Sequence, residues 1–98
     1  MSDNVFADLG FAHPEEEQLK AQIVLKLREA IKRRRLTQAA AADVLGIAQP
    51  DVSRLVNGRV LGYSLERMLG FLVALGHDVE IRTKRKPASR PGRITLAA

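Results

Sequence analysis

The chain has 98 residues, enough for one small domain, and its 16 basic and 11 acidic side chains leave a net charge of +5. It has no cysteine, which excludes a disulfide frame and a thiolate metal site. No apolar run approaches the ~20 residues that span a bilayer, and the start lacks the basic-then-apolar pattern of a secretory signal, so a cytoplasmic protein is expected.

Residues 1–12 read as an acidic arm. Phe6 and Phe11 stand in it with Val5 and Leu9, more apolar surface than a merely disordered tail carries. Phe6, Leu9 and Phe11 are candidate anchors on a partner protein, with Asp3 and Asp8 meeting its basic surface; alternatively the arm folds back on its own domain. All five acids of residues 1–18 lack a nearby Lys or Arg there, whereas residues 19–98 hold 16 basic and 6 acidic side chains. The body is therefore cationic and suits a polyanion.

Helix 1 is predicted at about 15–34. Pro14 fits a first helical position and Glu15–Glu17 meet the positive end of the helix dipole. Leu19, Ile23, Leu27 and Ile31 repeat every fourth residue, with Val24 and Ala30 widening the stripe. Lys32–Arg35 meet the negative end; Arg33–Arg35 either complement that dipole or touch phosphate.

Thr37 caps a second helix running to about Leu45. Gly46, four residues after the small Ala42, supplies the left-handed residue that ends it. Gln49 to Asn57 form a third helix with Pro50 in its first turn. Apolar residues at Ala41, Leu45, Ile47, Val52 and Leu55 fit two short helices packed steeply through a tight turn. A helix-turn-helix of this kind lays its second helix in the DNA major groove.

Candidate contacts follow. Gln38 opens helix 2, where unsatisfied N–H groups favour a phosphate clamp; otherwise it is a polar surface residue. Gln49 suits an adenine edge, and Pro50 shapes the helix start or touches a thymine methyl. Asp51 accepts from a cytosine amino group, stabilises the helix start or pairs with Arg54. Ser53 and Arg54 lie away from Val52 and Leu55. Arg54 suits guanine or phosphate. Asn57 caps the helix or touches phosphate, and Arg59 suits phosphate.

Arg59–Tyr63 reads as a loop. Ser64 caps helix 4, with Leu65, Met68, Leu69, Leu72 and Leu75 as its apolar positions, and Gly76 ends it. The period then changes to two: Val79 and Ile81 alternate with charges over 77–83, the pattern of a short strand. One strand needs a partner, so Val79 and Ile81 are the candidate dimer contacts; packing of helix 4 is the other route. Residues 84–98 read as a flexible basic tail.

Nothing catalytic is visible. His13 and His77 stand alone, and no nucleophile–base set, carboxylate pair or phosphate-cradling glycine loop occurs. No metal and no cofactor are expected, and the chain is not expected to be an enzyme.

The motifs Leu36-Thr37-Gln38, Leu45-Gly46-Ile47, Gln49-Pro50-Asp51-Val52-Ser53-Arg54-Leu55 and Asn57-Gly58 resemble the Cro/cI-type (XRE) helix-turn-helix family. Residues 62–81 (GYSLERMLGFLVALGHDVEI) and 5–11 (VFADLGF) resemble HigA-type antitoxins of bacterial toxin–antitoxin modules. The resemblance covers residues 5–83. It implies an all-α, lambda-repressor-like bundle of four to five helices, here with one short C-terminal strand. It further implies a homodimer on a palindromic operator, repression of its own operon, and neutralisation of a small RelE/HigB-like mRNA nuclease toxin. Its reading positions fall on Gln38, Gln49, Pro50, Ser53 and Arg54. The run Ala39–Ala42 departs from the family's polar mix, leaving Gln38 as the side-chain phosphate contact of helix 2. Two alternatives stay open: a stand-alone regulator with no toxin, and an interaction module that has lost DNA binding. The expected core is Leu19, Ile23, Leu27, Ile31, Ala41, Leu45, Ile47, Val52, Leu55, Leu65, Leu69 and Leu72.

Overall fold

The computed structural model describes residues 13–85 and 92–97. The arm residues Phe6, Leu9 and Phe11 lie outside the described residues. Among these residues the elements are helices: α1 (His13–Arg33), α2 (Gln38–Leu45), α3 (Gln49–Val56) and α4 (Leu65–Ala74). Each start and stop follows local chemistry. In α1, Glu15 and Glu16 stand in the first turn and Lys32 and Arg33 in the last, the arrangement the helix dipole favours.

The end of α1 breaks the usual rule. Arg35 sits at φ 54 in the left-handed region that glycine normally fills. Its N–H donates to the Lys32 carbonyl at 3.0 Å and the Leu36 N–H to the Ile31 carbonyl at 3.1 Å, which closes the helix in a Schellman arrangement. A non-glycine residue there costs about 1–2 kcal/mol, against roughly 0.5–1 kcal/mol for the extra freedom glycine loses on folding. Arg35→Gly is therefore expected to stabilise the fold by a net ~0.5–1 kcal/mol, read as a rise of a few degrees in melting temperature. A fall would show that the Arg35 side chain contributes more than its backbone costs.

Thr37 caps α2: its Oγ1 accepts from the Ala40 N–H at 3.0 Å. Gly46, at φ 70 and ψ 31, ends it, with the N–H groups of Gly46 and Ile47 both donating to the Ala42 carbonyl at 2.8 and 3.2 Å. The left-handed residue at the turn is thus the one the sequence supplies. Ser64 caps α4, accepting from the Arg67 N–H at 3.0 Å. The N–H groups of Gly76 and His77 close it on the Val73 and Leu72 carbonyls, both at 3.0 Å.

α1 is the spine. It packs chiefly against α4 and also against α3, while α2 packs on α3 and touches α4. The largest fully buried side chains are Ile23, Leu27, Val52, Leu55, Leu65 and Met68. Leu19, Ala41, Leu45 and Leu72 are buried as expected, but Ile31, Ile47 and Leu69 are only partly so. Val60 and Phe71 join the core, one from a loop without periodicity.

The expected C-terminal strand is corrected. Residues 77–85 form neither helix nor strand, and the described residues contain no strand. Alternation of Val79 and Ile81 gives two faces, but a strand exists only where a second strand accepts its hydrogen bonds, and within the described chain none is offered. Val79 is 36% exposed and Ile81 79%. Further on, Leu96 is half-buried against the core, a contact that the basic-tail reading of residues 84–98 does not anticipate.

Candidate nucleic-acid interface

A helix of eight residues turns 100° per position, so α3 divides into two faces. Val52 and Leu55 are buried. Gln49, Pro50 and Arg54 are exposed and Ser53 half-buried on the opposite side. This division follows from the sequence: two apolar residues three apart anchor the helix against α1 and α2, and polar residues are left outward. Ala48 precedes α3 without a side-chain cap, and Pro50 stands in the first turn, where its missing N–H forfeits no helical bond.

Around that outward face lie three ordered features. Asp51 Oδ1 accepts from Arg54 Nη1 at 2.8 Å, so of the readings open for Asp51 the ion pair is formed. Asn57 Nδ2 donates to the Ser53 carbonyl at 2.8 Å, which makes Asn57 the C-terminal cap of α3. Arg59 follows it, exposed, its N–H donating to the Arg54 carbonyl at 2.9 Å.

Arg67 is an addition that the sequence reading missed. Its Cζ lies 5.3 Å from the Tyr63 ring centroid and 5.7 Å from that of Phe71. The two rings meet edge to face, with centroids 5.6 Å apart and planes at 72°. The rings hold an otherwise flexible cation by cation–π attraction. Tyr63, Arg67 and Phe71 are four residues apart in turn, and that spacing was the available signal. Arg54, Arg59 and Arg67 line one open trough beside α3 together with Asp51 and Glu17. Three guanidinium groups against two carboxylates make it net cationic.

The other predicted residues stand apart from this face. Gln38 is exposed at the first position of α2, where the N–H groups of Gln38 and Ala39 have no acceptor further back in the helix. Val79 and Ile81 lie beyond α4. Among the described residues no cluster of His, Asp or Glu could hold a metal ion, and no helix is long and apolar enough to cross a membrane. The arrangement offers amide, hydroxyl and guanidinium groups on one protruding helix, flanked by fixed cations, which suits base edges and phosphates rather than bond-making chemistry.

Known proteins agree with this geometry. A family model described as a helix-turn-helix domain matches residues 5–84. A solved chain assigned to the XRE family of transcriptional regulators is 46% identical, with a TM-score of 0.81 over 89% of this chain and 99% of that one. No curated protein matches the sequence.

Proposed function

Since the chain belongs to the helix-turn-helix domain family and, within it, to the XRE-type transcriptional regulators, we propose that it is a sequence-specific repressor whose α3 reads the major groove. The observation that carries this reading is the outward face of α3: Gln49, Pro50, Ser53 and Arg54 point away from the buried Val52 and Leu55. Gln38, at the start of α2, and Arg59, after α3, supply phosphate contacts on either side. Asn57 serves them indirectly, by closing the helix that carries Arg54.

The test is a gel-shift titration on the DNA upstream of the protein's own gene, against an unrelated duplex of equal length at physiological salt. A preference of about a thousandfold or more, the usual range for specific binders, is expected. Equal, salt-sensitive binding to both would refute the reading and favour an interaction module that has kept only the fold.

One reading helix covers few base pairs, so a homodimer on a palindrome is the proposed assembly, with reading helices about 34 Å apart. The exposed Val79 and Ile81 on the segment after α4 support contact with a second copy. Burying a valine contributes about 1.5–3 kcal/mol, so Val79→Asp is expected to raise the dimer dissociation constant at least ~10-fold. Sedimentation velocity checks it, and an unchanged dimer would remove the segment from the interface.

The finer proposal is that the repressor is the antitoxin of a toxin–antitoxin operon and neutralises a RelE/HigB-like nuclease. It is supported by the resemblance of residues 5–11 and 62–81 to HigA-type antitoxins. Co-purification with the product of an adjacent gene for a small basic protein tests it. If no such complex forms, the stand-alone regulator remains.

A further inference from the structure

We propose that Asp51 sets the specificity of the reading helix, by fixing Arg54 for a base edge and keeping it off phosphate. The inference rests on the assignment of α3 as the reading helix. Asp51 lies in the first turn of α3, three residues before Arg54, and its Oδ1 accepts from Arg54 Nη1 at 2.8 Å. The two side chains are 43% and 60% exposed, so the pair stands at the rim of the outward face and not in the core. Such a pair adds little to stability. Its importance lies in what it does to the guanidinium.

The first effect is orientation. An arginine side chain on a helix surface samples many rotamers, whereas one bonded to a carboxylate within the same helix turn is held in few. The guanidinium has five N–H donors. One is taken by Asp51, and those remaining suffice for the bidentate contact that guanine offers through O6 and N7.

The second effect is selection by charge. A phosphate drawn to Arg54 would come close to the Asp51 carboxylate, and two anions on one guanidinium repel. The guanine edge is neutral and meets no such repulsion. Non-specific DNA offers mainly phosphate, so Asp51 weakens the wrong mode of binding more than the right one. Arg59 and Arg67 line the same trough without this restraint. Among the described residues, Arg54 is the guanidinium of that trough tied to a carboxylate, which leaves Arg59 and Arg67 to anchor phosphate.

The experiment compares wild type, Asp51→Asn, Asp51→Glu, Arg54→Ala and the double variant Asp51→Asn/Arg54→Ala in gel-shift titrations. Each is run on the upstream DNA and on an unrelated duplex, across a series of salt concentrations. Asp51→Asn is expected to bind the unrelated duplex ~10-fold more tightly and to lower the preference for the upstream DNA by a similar factor. The salt slope on the unrelated duplex steepens by about 0.9, the value of one new phosphate contact. Asp51→Glu keeps the charge and restores the preference. On the Arg54→Ala background, Asp51→Asn no longer alters it.

A purely structural role at the start of α3 would weaken binding to both DNAs alike and leave preference and slope unchanged; that result overturns the proposal. A wild-type protein without preference for its upstream DNA overturns the reading of α3, and this proposal with it. A specific wild type whose preference survives Asp51→Asn overturns this proposal alone.

Discussion

Arg54→Ala is expected to weaken binding to the upstream DNA by about 1–3 kcal/mol, the value of one bidentate base contact, or roughly 5- to 150-fold. The fold should be untouched. The Arg54 side chain is 60% exposed, alanine is a strong helix former, and the lost ion pair with Asp51 stood at the surface, where such pairs contribute ~0–1 kcal/mol. Binding to unrelated duplex should change far less, because the loss is of a base contact. Fluorescence anisotropy on both DNAs separates these effects, with circular dichroism confirming the helices. Equal losses on both DNAs would move Arg54 from the bases to the phosphates. No loss on either would mean that α3 does not present this face to DNA.

Arg59→Ala would serve as the contrast. Arg59 follows the cap at Asn57 and points into the flanking trough, so its loss should weaken both DNAs alike and reduce the salt slope by about one.

What the sequence revealed of this molecule was its local chemistry. Thr37 and Ser64 cap α2 and α4 through their hydroxyls, as Ser and Thr before an apolar-periodic run should. Gly46 makes the turn because a left-handed residue suits it, and that requirement is written in residue type. The two faces of α3 follow in the same way from Val52 and Leu55. Arg35 was illegible for the opposite reason: helix ends are recognised by glycine, and here an arginine occupies the left-handed position.

Two of the misses, Val60 and the strand, share a cause: dependence on residues distant in the chain. Val60 is buried only because the loop after α3 returns over α1. Alternation at Val79 and Ile81 specifies which side chains share a face but not whether a partner strand exists. Arg67 acquired its place from Tyr63 and Phe71, a spacing visible in the sequence that reads equally as ordinary core packing. For the site, residue types were legible on α3, while the pairing of Asp51 with Arg54 was one of three readings that geometry alone could separate.

Ile23→Ala should produce the largest loss of stability. Ile23 is 0% exposed near the middle of α1, the helix that packs against both α4 and α3. Truncating a buried isoleucine costs about 2–5 kcal/mol, part from lost transfer energy and part from the cavity left behind. Leu27 on α1 and Met68 on α4 are fully buried in the same core cluster, so the site has little freedom to collapse. A domain of this size is stable by only ~5–15 kcal/mol, and the loss is a large fraction of that. In urea the midpoint should fall with the slope unchanged, the sign of altered stability without altered compactness. Leu25→Ala on the same helix is the control: Leu25 is 58% exposed, and surface substitutions stay near ±0.5 kcal/mol. Equal effects from the two would mean that α1 is not the spine. The reading helix would then owe its position chiefly to α2, on which it also packs.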